Sequence, residues 1–158
     1  MPQERPFKAL DGRACRKKVP SPPRKKVLFL CTMNSTRSQM AEALLNGFHG
    51  DKYEGYSAGV RPGTRVDPYV IDVLAEIGVD ASKARPKSVE EMLDLYFDIV
   101  VTVCDSAREE CPIYPGGSEL MHRSFAAPSS FEGDADEMIQ QYRTLRDEMR
   151  AWIDATFN

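Results

Sequence analysis

Val27-Leu28-Phe29-Leu30-Cys31-Thr32-Met33-Asn34-Ser35-Thr36-Arg37-Ser38 is the stretch on which the reading of this chain turns. Val27–Leu30 is apolar without interruption, as a strand covered on both faces must be. From Ser38 to about Phe48, the residues Met40, Ala41, Leu44, Leu45 and Phe48 fall on one face of a helix. The loop between them begins at Cys31 and delivers Arg37 to a helix N-terminus. Successive amides in such a loop form a concave nest for an anion, and the helix dipole adds positive potential at the same place. Arg37 brings a planar fork able to hold two oxygens of a tetrahedral oxyanion. Thr32, Met33, Asn34, Ser35, Thr36, Arg37 and Ser38 are therefore the candidate oxyanion-binding residues. Cys31 is the candidate nucleophile, its thiolate favoured by the same field. Ser38 is placed to donate a hydrogen bond to that sulfur, and Asn34 accepts the left-handed backbone a tight loop needs. A Cys-x5-Arg spacing is weak alone, and the competing reading is a buried Cys31 with a surface Arg37. The strand–loop–helix setting favours the site.

The rest of the pattern alternates strands and helices. Tyr53–Ala58 reads as a second strand. Asp67-Pro68 opens a helix with a cap and a proline at the first helical position; Val70, Val73, Leu74 and Ile77 form its buried stripe and Gly78 its stop. Ser88–Leu93 reads as a short helix, Phe97–Val103 as a strand and Glu119–Arg123 as a short fourth strand, after a Pro/Gly-rich loop from Cys111 to Gly117. Asp136–Thr156 carries Met138, Tyr142, Leu145, Met149, Trp152 and Thr156 at steps of four and three, a packing stripe. Such alternation predicts an α/β domain: four parallel strands with helices on both faces, flavodoxin-like. Ligands of such sheets bind beyond the carboxyl ends of the strands, where strand order reverses. With the first and third strands adjacent there, Cys31 and Cys104 share one rim.

Composition sets the boundaries. A chain of 158 residues fits one domain, and no apolar run approaches the length of a membrane helix. Residues 1–26 hold nine Lys/Arg and two acids within a net charge of −3, so the remainder is strongly acidic. Residues 1–25 are expected to form a basic, proline-containing tail, and residues 26–158 the domain. A solvated tail is favoured over an arm for nucleic acid, a membrane or another protein. Cys15 lies among the tail's cations with nothing nearby to complete a site. No signal-peptide pattern is visible, so a cytoplasmic setting is expected, in which the four cysteines are catalytic, metal-binding or inert rather than disulfide-bonded. No cofactor is implied, and no metal: His49 and His122 are the only histidines, neither at zinc-finger spacing.

Cys104 and Cys111 are separated by six helix-compatible residues, Asp105 to Glu110. Over an intact helix their Cα atoms would stand about 10 Å apart, whereas a disulfide needs roughly 4.4–6.8 Å. A bridge between them would require the segment to unwind, and Pro112, Pro115, Gly116 and Gly117 follow it. Two unrelated thiols remain the alternative.

The motif around Cys31, extended through Gln39-Met40-Ala41-Glu42-Ala43, resembles the signature of the low-molecular-weight protein tyrosine phosphatase superfamily. It is more closely similar to the thioredoxin-coupled arsenate reductase branch. Tyr56-Ser57-Ala58-Gly59, Arg85-Pro86-Lys87-Ser88, Val100-Val101-Thr102-Val103-Cys104 and Cys111-Pro112 carry the likeness over roughly residues 26–155. The resemblance implies arsenate as substrate, phosphate or sulfate as competing oxyanions, and thioredoxin or a similar dithiol protein as partner. It implies catalytic roles for Cys31, Arg37, Cys104 and Cys111 in a three-thiol relay, with Ser38, Asn34, Glu42 and Lys87 in support; no membrane or nucleic-acid partner is expected. A low-molecular-weight phosphatase and a non-catalytic oxyanion-binding module are the alternatives.

Two departures stand out. Met33 occupies a position where many relatives have glycine, which would be strained if the loop needs positive φ there. Ala127 stands just before Pro128 where relatives carry the general-acid Asp, with Glu132, Asp134 and Asp136 as remote substitutes. A phosphomonoesterase needs that acid for its alkoxide leaving group; arsenate loses only water or hydroxide. Some relatives use a potassium ion near the loop, and Lys87 is a candidate to supply fixed charge there instead.

Overall fold

The structure, a computed structural model, describes residues 23–105 and 117–158. The basic tail with Cys15, and the segment with Cys111 and its Pro/Gly loop, lie outside the described residues. The elements run β1 (Lys25–Cys31), α1 (Arg37–His49), β2 (Tyr53–Gly59), α2 (Pro68–Ala75), a 3-10 helix (Val89–Met92), β3 (Phe97–Thr102), β4 (Gly117–His122), a second 3-10 turn (Pro128–Ser130) and α3 (Ala135–Thr156). All strand pairs are parallel, in the order β2-β1-β3-β4. The chain therefore steps from β1 one way to β2 and returns past it to β3, which puts the topological switch point at the carboxyl ends of β1 and β3. The α/β class and the four-stranded parallel sheet are as expected. The termini shift in places: β1 reaches Cys31, β3 stops at Thr102, and the short helix after Ser88 is 3-10 rather than α, closed by a capping box between Ser88 and Glu91.

Central β1 is the axis of the core. Val27, Leu28, Phe29 and Leu30 are wholly buried, as a strand hydrogen-bonded on both edges and covered on both faces should be. Met40, Leu44 and Leu45 of α1 are also fully buried, and Phe157 at the end of α3 meets Phe29 edge-on. Asp67 caps α2, its carboxylate accepting from Tyr69 N, and Gly78 takes φ +83 just after that helix, as expected of its stop. Asp134 caps α3 through a capping box with Glu137. In the described residues no helix is long and apolar enough to cross a membrane.

A charged network fastens α3 to α2. Buried Arg146 donates to Val73 O at 2.9 Å and to Glu76 Oε1 at 2.8 Å, while Arg143 reaches Glu76 Oε2 at 2.6 Å. Arg143 first, with Arg146 behind it, holds the Glu76 carboxyl down at about 2 from its ordinary 4.5. Because the folded value lies below the unfolded one, this stabilisation is whole above pH 4.5 and is lost as pH falls toward 2. Glu76→Gln should therefore lower the melting temperature at neutral pH, and its gap to the parent should close through that window. Thermal melts across the pH series check this, and a gap independent of pH would contradict it.

Candidate active site

The loop from Cys31 to Thr36 is turned by its carbonyl groups. Val60 N donates to Cys31 O, Arg61 N to Thr32 O, Gly63 N to Met33 O and Asp67 N to Ser35 O, at 2.8 to 3.2 Å. The side chain of Gln39 donates to Asn34 O at 3.2 Å. Five successive carbonyl oxygens, which would repel an anion, are thus engaged by protein donors. The segment can lie this close only because residue 59 is glycine: a Cβ there would stand 2.8 Å from Thr32 O and 2.9 Å from Asn34 N.

Asn34 is the pivot. It takes φ 53, the one left-handed non-glycine among the described residues, as its sequence position suggested. The turn therefore falls one residue after Met33, so the strain foreseen at Met33 does not arise; its side chain is half exposed at the rim. The Asn34 side chain is wholly buried. Its Nδ2 donates to Ser38 Oγ at 2.8 Å, and its Oδ1 accepts from Gln39 Nε2 at 2.9 Å and Lys87 N at 2.8 Å. Its own amide donates to Cys31 Sγ at 3.1 Å, and Ser38 Oγ lies 2.8 Å from the same sulfur. With the Asn34 amine directed at Ser38 Oγ, the Ser38 hydroxyl proton is left for the sulfur. Both donors thus point at the Cys31 sulfur.

A cavity of about 350 Å³ opens over this sulfur, lined by Cys31, Thr32, Met33, Ser35, Thr36 and Arg37 on the loop side. Thr36 forms no side-chain cap on α1, which leaves the helix's first amides available to a ligand. Arg37 Nη1 donates to Phe125 O at 3.3 Å, and its Nε is buried with no hydrogen-bond partner among the described residues. An oxyanion would satisfy that donor. A larger groove of about 520 Å³ along α3 is lined by Glu132, Glu137 and Glu148, whose charge opposes an anion.

Asn34 and Ser38 sit behind the cavity wall rather than on it, as do Glu42 and Lys87. Lys87 Nζ lies 3.5 Å from Glu42 Oε1, 3.4 Å from Ser57 Oγ and 3.2 Å from Arg85 O, while Ser57 donates to Glu42 at 2.6 Å. The ammonium thus has three oxygen neighbours, one of them a carboxylate.

Cys104 lies two residues beyond β3, buried and unbridged like Cys31. Its sulfur is 3.6 Å from Thr32 Oγ1, so the switch point does bring both thiols to one rim. Asp105 follows and reaches His122 Nε2 at 3.0 Å, the imidazole's other nitrogen lying 2.8 Å from Thr102 Oγ1.

On the far wall, Ala127 presents a methyl group beside Pro128 and Ser129. None of Glu132, Asp134 and Asp136 lines the cavity. The carboxylate that does is Asp67, which accepts from the buried Tyr142 hydroxyl. Burial, then the hydrogen bond to Asp67 and its charge, holds the Tyr142 phenol well above its ordinary value and so as a donor. Sequence reasoning assigned Asp67 only to a helix cap and Tyr142 only to a packing stripe. Both assignments are correct, but they leave out where the two side chains meet.

Residues 26–153 match the family described as low molecular weight phosphotyrosine protein phosphatase, and the chain belongs to that family. An arsenate reductase of Halalkalibacterium halodurans is 37% identical over 126 residues, which cover 80% of this chain and 90% of the relative. The thioredoxin-dependent arsenate reductase of Corynebacterium glutamicum superposes with a TM-score of 0.59 at 33% identity, over 89% of this chain and 67% of that one. A low molecular weight protein tyrosine phosphatase from T. tengcongensis does so with a TM-score of 0.65 at 26% identity, over 82% and 95%.

Asn34→Ala removes acceptors from Lys87 N and Gln39 and puts alanine in a left-handed turn. The expected loss is about 2–4 kcal/mol in urea unfolding. A change within experimental error would show that the loop is held by other means.

Proposed function

We propose that the protein reduces arsenate to arsenite and is recycled by thioredoxin or a similar dithiol protein in a reducing, cytosolic setting. The observation that carries this reading is the second thiol, Cys104, held against the oxyanion loop through Thr32. A hydrolase would have no use for it. The names of the sequence relatives support the same reaction.

In the first step the Cys31 thiolate attacks arsenic in the cavity. A sulfur–arsenic bond forms, an arsenic–oxygen bond breaks, and the oxygen leaves as water after taking up a proton. Arg37 and the amides at the start of α1 hold the remaining oxygens. Cys104 then attacks Cys31 Sγ. The electron pair of the sulfur–arsenic bond stays on arsenic, which becomes arsenic(III) and leaves as arsenite, and a Cys31–Cys104 disulfide remains. Cys111 attacks Cys104 Sγ and frees Cys31 as thiolate. The dithiol partner reduces the resulting Cys104–Cys111 bond. Lys87 supports the loop in this scheme by its backbone amide, which donates to Asn34 Oδ1, while its ammonium pairs with Glu42.

Ala127 fits this chemistry better than phosphate-ester hydrolysis, because water is an easier leaving group than an alkoxide and arsenate carries protons of its own. Arsenate-dependent NADPH consumption, coupled through thioredoxin and its reductase, tests the reading. Cys104→Ser should lower multiple turnover by roughly 10³-fold or more, as expected when a nucleophile in an obligatory sequence is removed. Undiminished turnover in that variant would rule out the relay.

A further inference from the structure

Asp67 is the one carboxylate among the described residues lining the oxyanion cavity. It is firmly fixed. Its Oδ1 accepts from Tyr69 N at 3.0 Å, its Oδ2 accepts from Tyr142, and its own amide holds Ser35 O at 2.9 Å. The carboxylate cannot swing away without uncapping α2 and giving up the Tyr142 hydroxyl.

A fixed negative charge in an anion cavity repels a fully deprotonated anion. The same group accepts a hydrogen bond from an anion that carries a proton, since each carboxylate oxygen has a second lone pair to offer. Arg37 lines this cavity as donor and Asp67 as acceptor. Such a cavity fits a tetrahedral anion that has both bare and protonated oxygens. At neutral pH arsenate and phosphate keep at least one proton, whereas sulfate keeps none. Shape alone makes sulfate and phosphate equal competitors; the carboxylate separates them.

We infer that Asp67 is a specificity residue, the hydrogen-bond acceptor that selects protonated tetrahedral oxyanions and turns sulfate away. This rests on the oxyanion reading above and narrows its substrate class. Sites built to hydrogen-bond a substrate hydroxyl discriminate strongly against analogues that lack it.

Isothermal titration of the reduced full-length chain with inorganic phosphate and with sulfate, at matched ionic strength and neutral pH, tests it. Phosphate should bind at least about tenfold more tightly than sulfate, since a like charge facing the ion is costly. Asp67→Asn should shrink that preference by about tenfold or more, chiefly through gained sulfate affinity; asparagine is an equally good helix cap, so the fold is kept. Tyr142→Phe retains the Asp67 charge and should retain the preference. Equal binding of the two ions by the parent protein, or an unchanged preference in Asp67→Asn, would overturn the role of Asp67 and leave the loop standing. Failure of both ions to bind the parent would overturn the oxyanion site itself and this inference with it.

Discussion

Everything at this site depends on which way the peptide groups of one short loop face. Their carbonyl oxygens are fastened to the segment from Val60 to Asp67 and to Gln39, and the close approach is possible because residue 59 has no side chain. With the carbonyls engaged, the donors near Cys31 are left to act on it and on a ligand: the Asn34 amide, the Ser38 hydroxyl, Arg37 Nε and the first amides of α1. The buried Asn34 side chain holds this arrangement by bonding to Ser38 and Gln39 in α1 and to the distant Lys87 amide. A preorganised set of dipoles of this kind is worth more than the same groups in water, because nothing must reorient when charge arrives.

Much of this was legible in the sequence. An uninterrupted apolar run ending in Cys31, followed by a helical period, specifies a buried strand, a loop and a helix, and so where the thiol sits. The left-handed turn at Asn34 and the stop at Gly78 follow from residue chemistry. The alternation of elements predicted a parallel sheet, and its switch point predicted that Cys31 and Cys104 would share one rim, where Cys104 Sγ lies 3.6 Å from Thr32 Oγ1. What could not be read was anything that depends on two distant segments converging on a third. Asp67 reads as a cap because its neighbours are helical; that it also lines the cavity depends on α2 docking beside the loop. Tyr142 belongs to the stripe of α3, and only the packing of α3 against α2 brings its hydroxyl to Asp67. Met33 shows the reverse error: a position suspected of strain is relaxed because the next residue takes the turn.

The far wall of the cavity sets the chemistry. A methyl at Ala127 withholds a proton donor from any departing alkoxide, while Asp67 adds a negative charge and an acceptor on α2. The Cys31 sulfur, the Arg37 guanidinium and the Thr32-linked Cys104 sulfur remain within the same structural unit. A redox reaction on a small protonated oxyanion uses all of these features together.

In the proposed relay one bound oxyanion draws Cys31 and Cys104 into a common reaction. Replacing Cys111 by serine removes the thiol that moves the first disulfide onward, so a single equivalent of arsenate added without reductant should trap the intermediate. Peptide mapping by mass spectrometry should then find Cys31 joined to Cys104, with arsenite formed in equal amount. Recovery of both cysteines as free thiols, or of Cys31 joined to Cys15 instead, would contradict it.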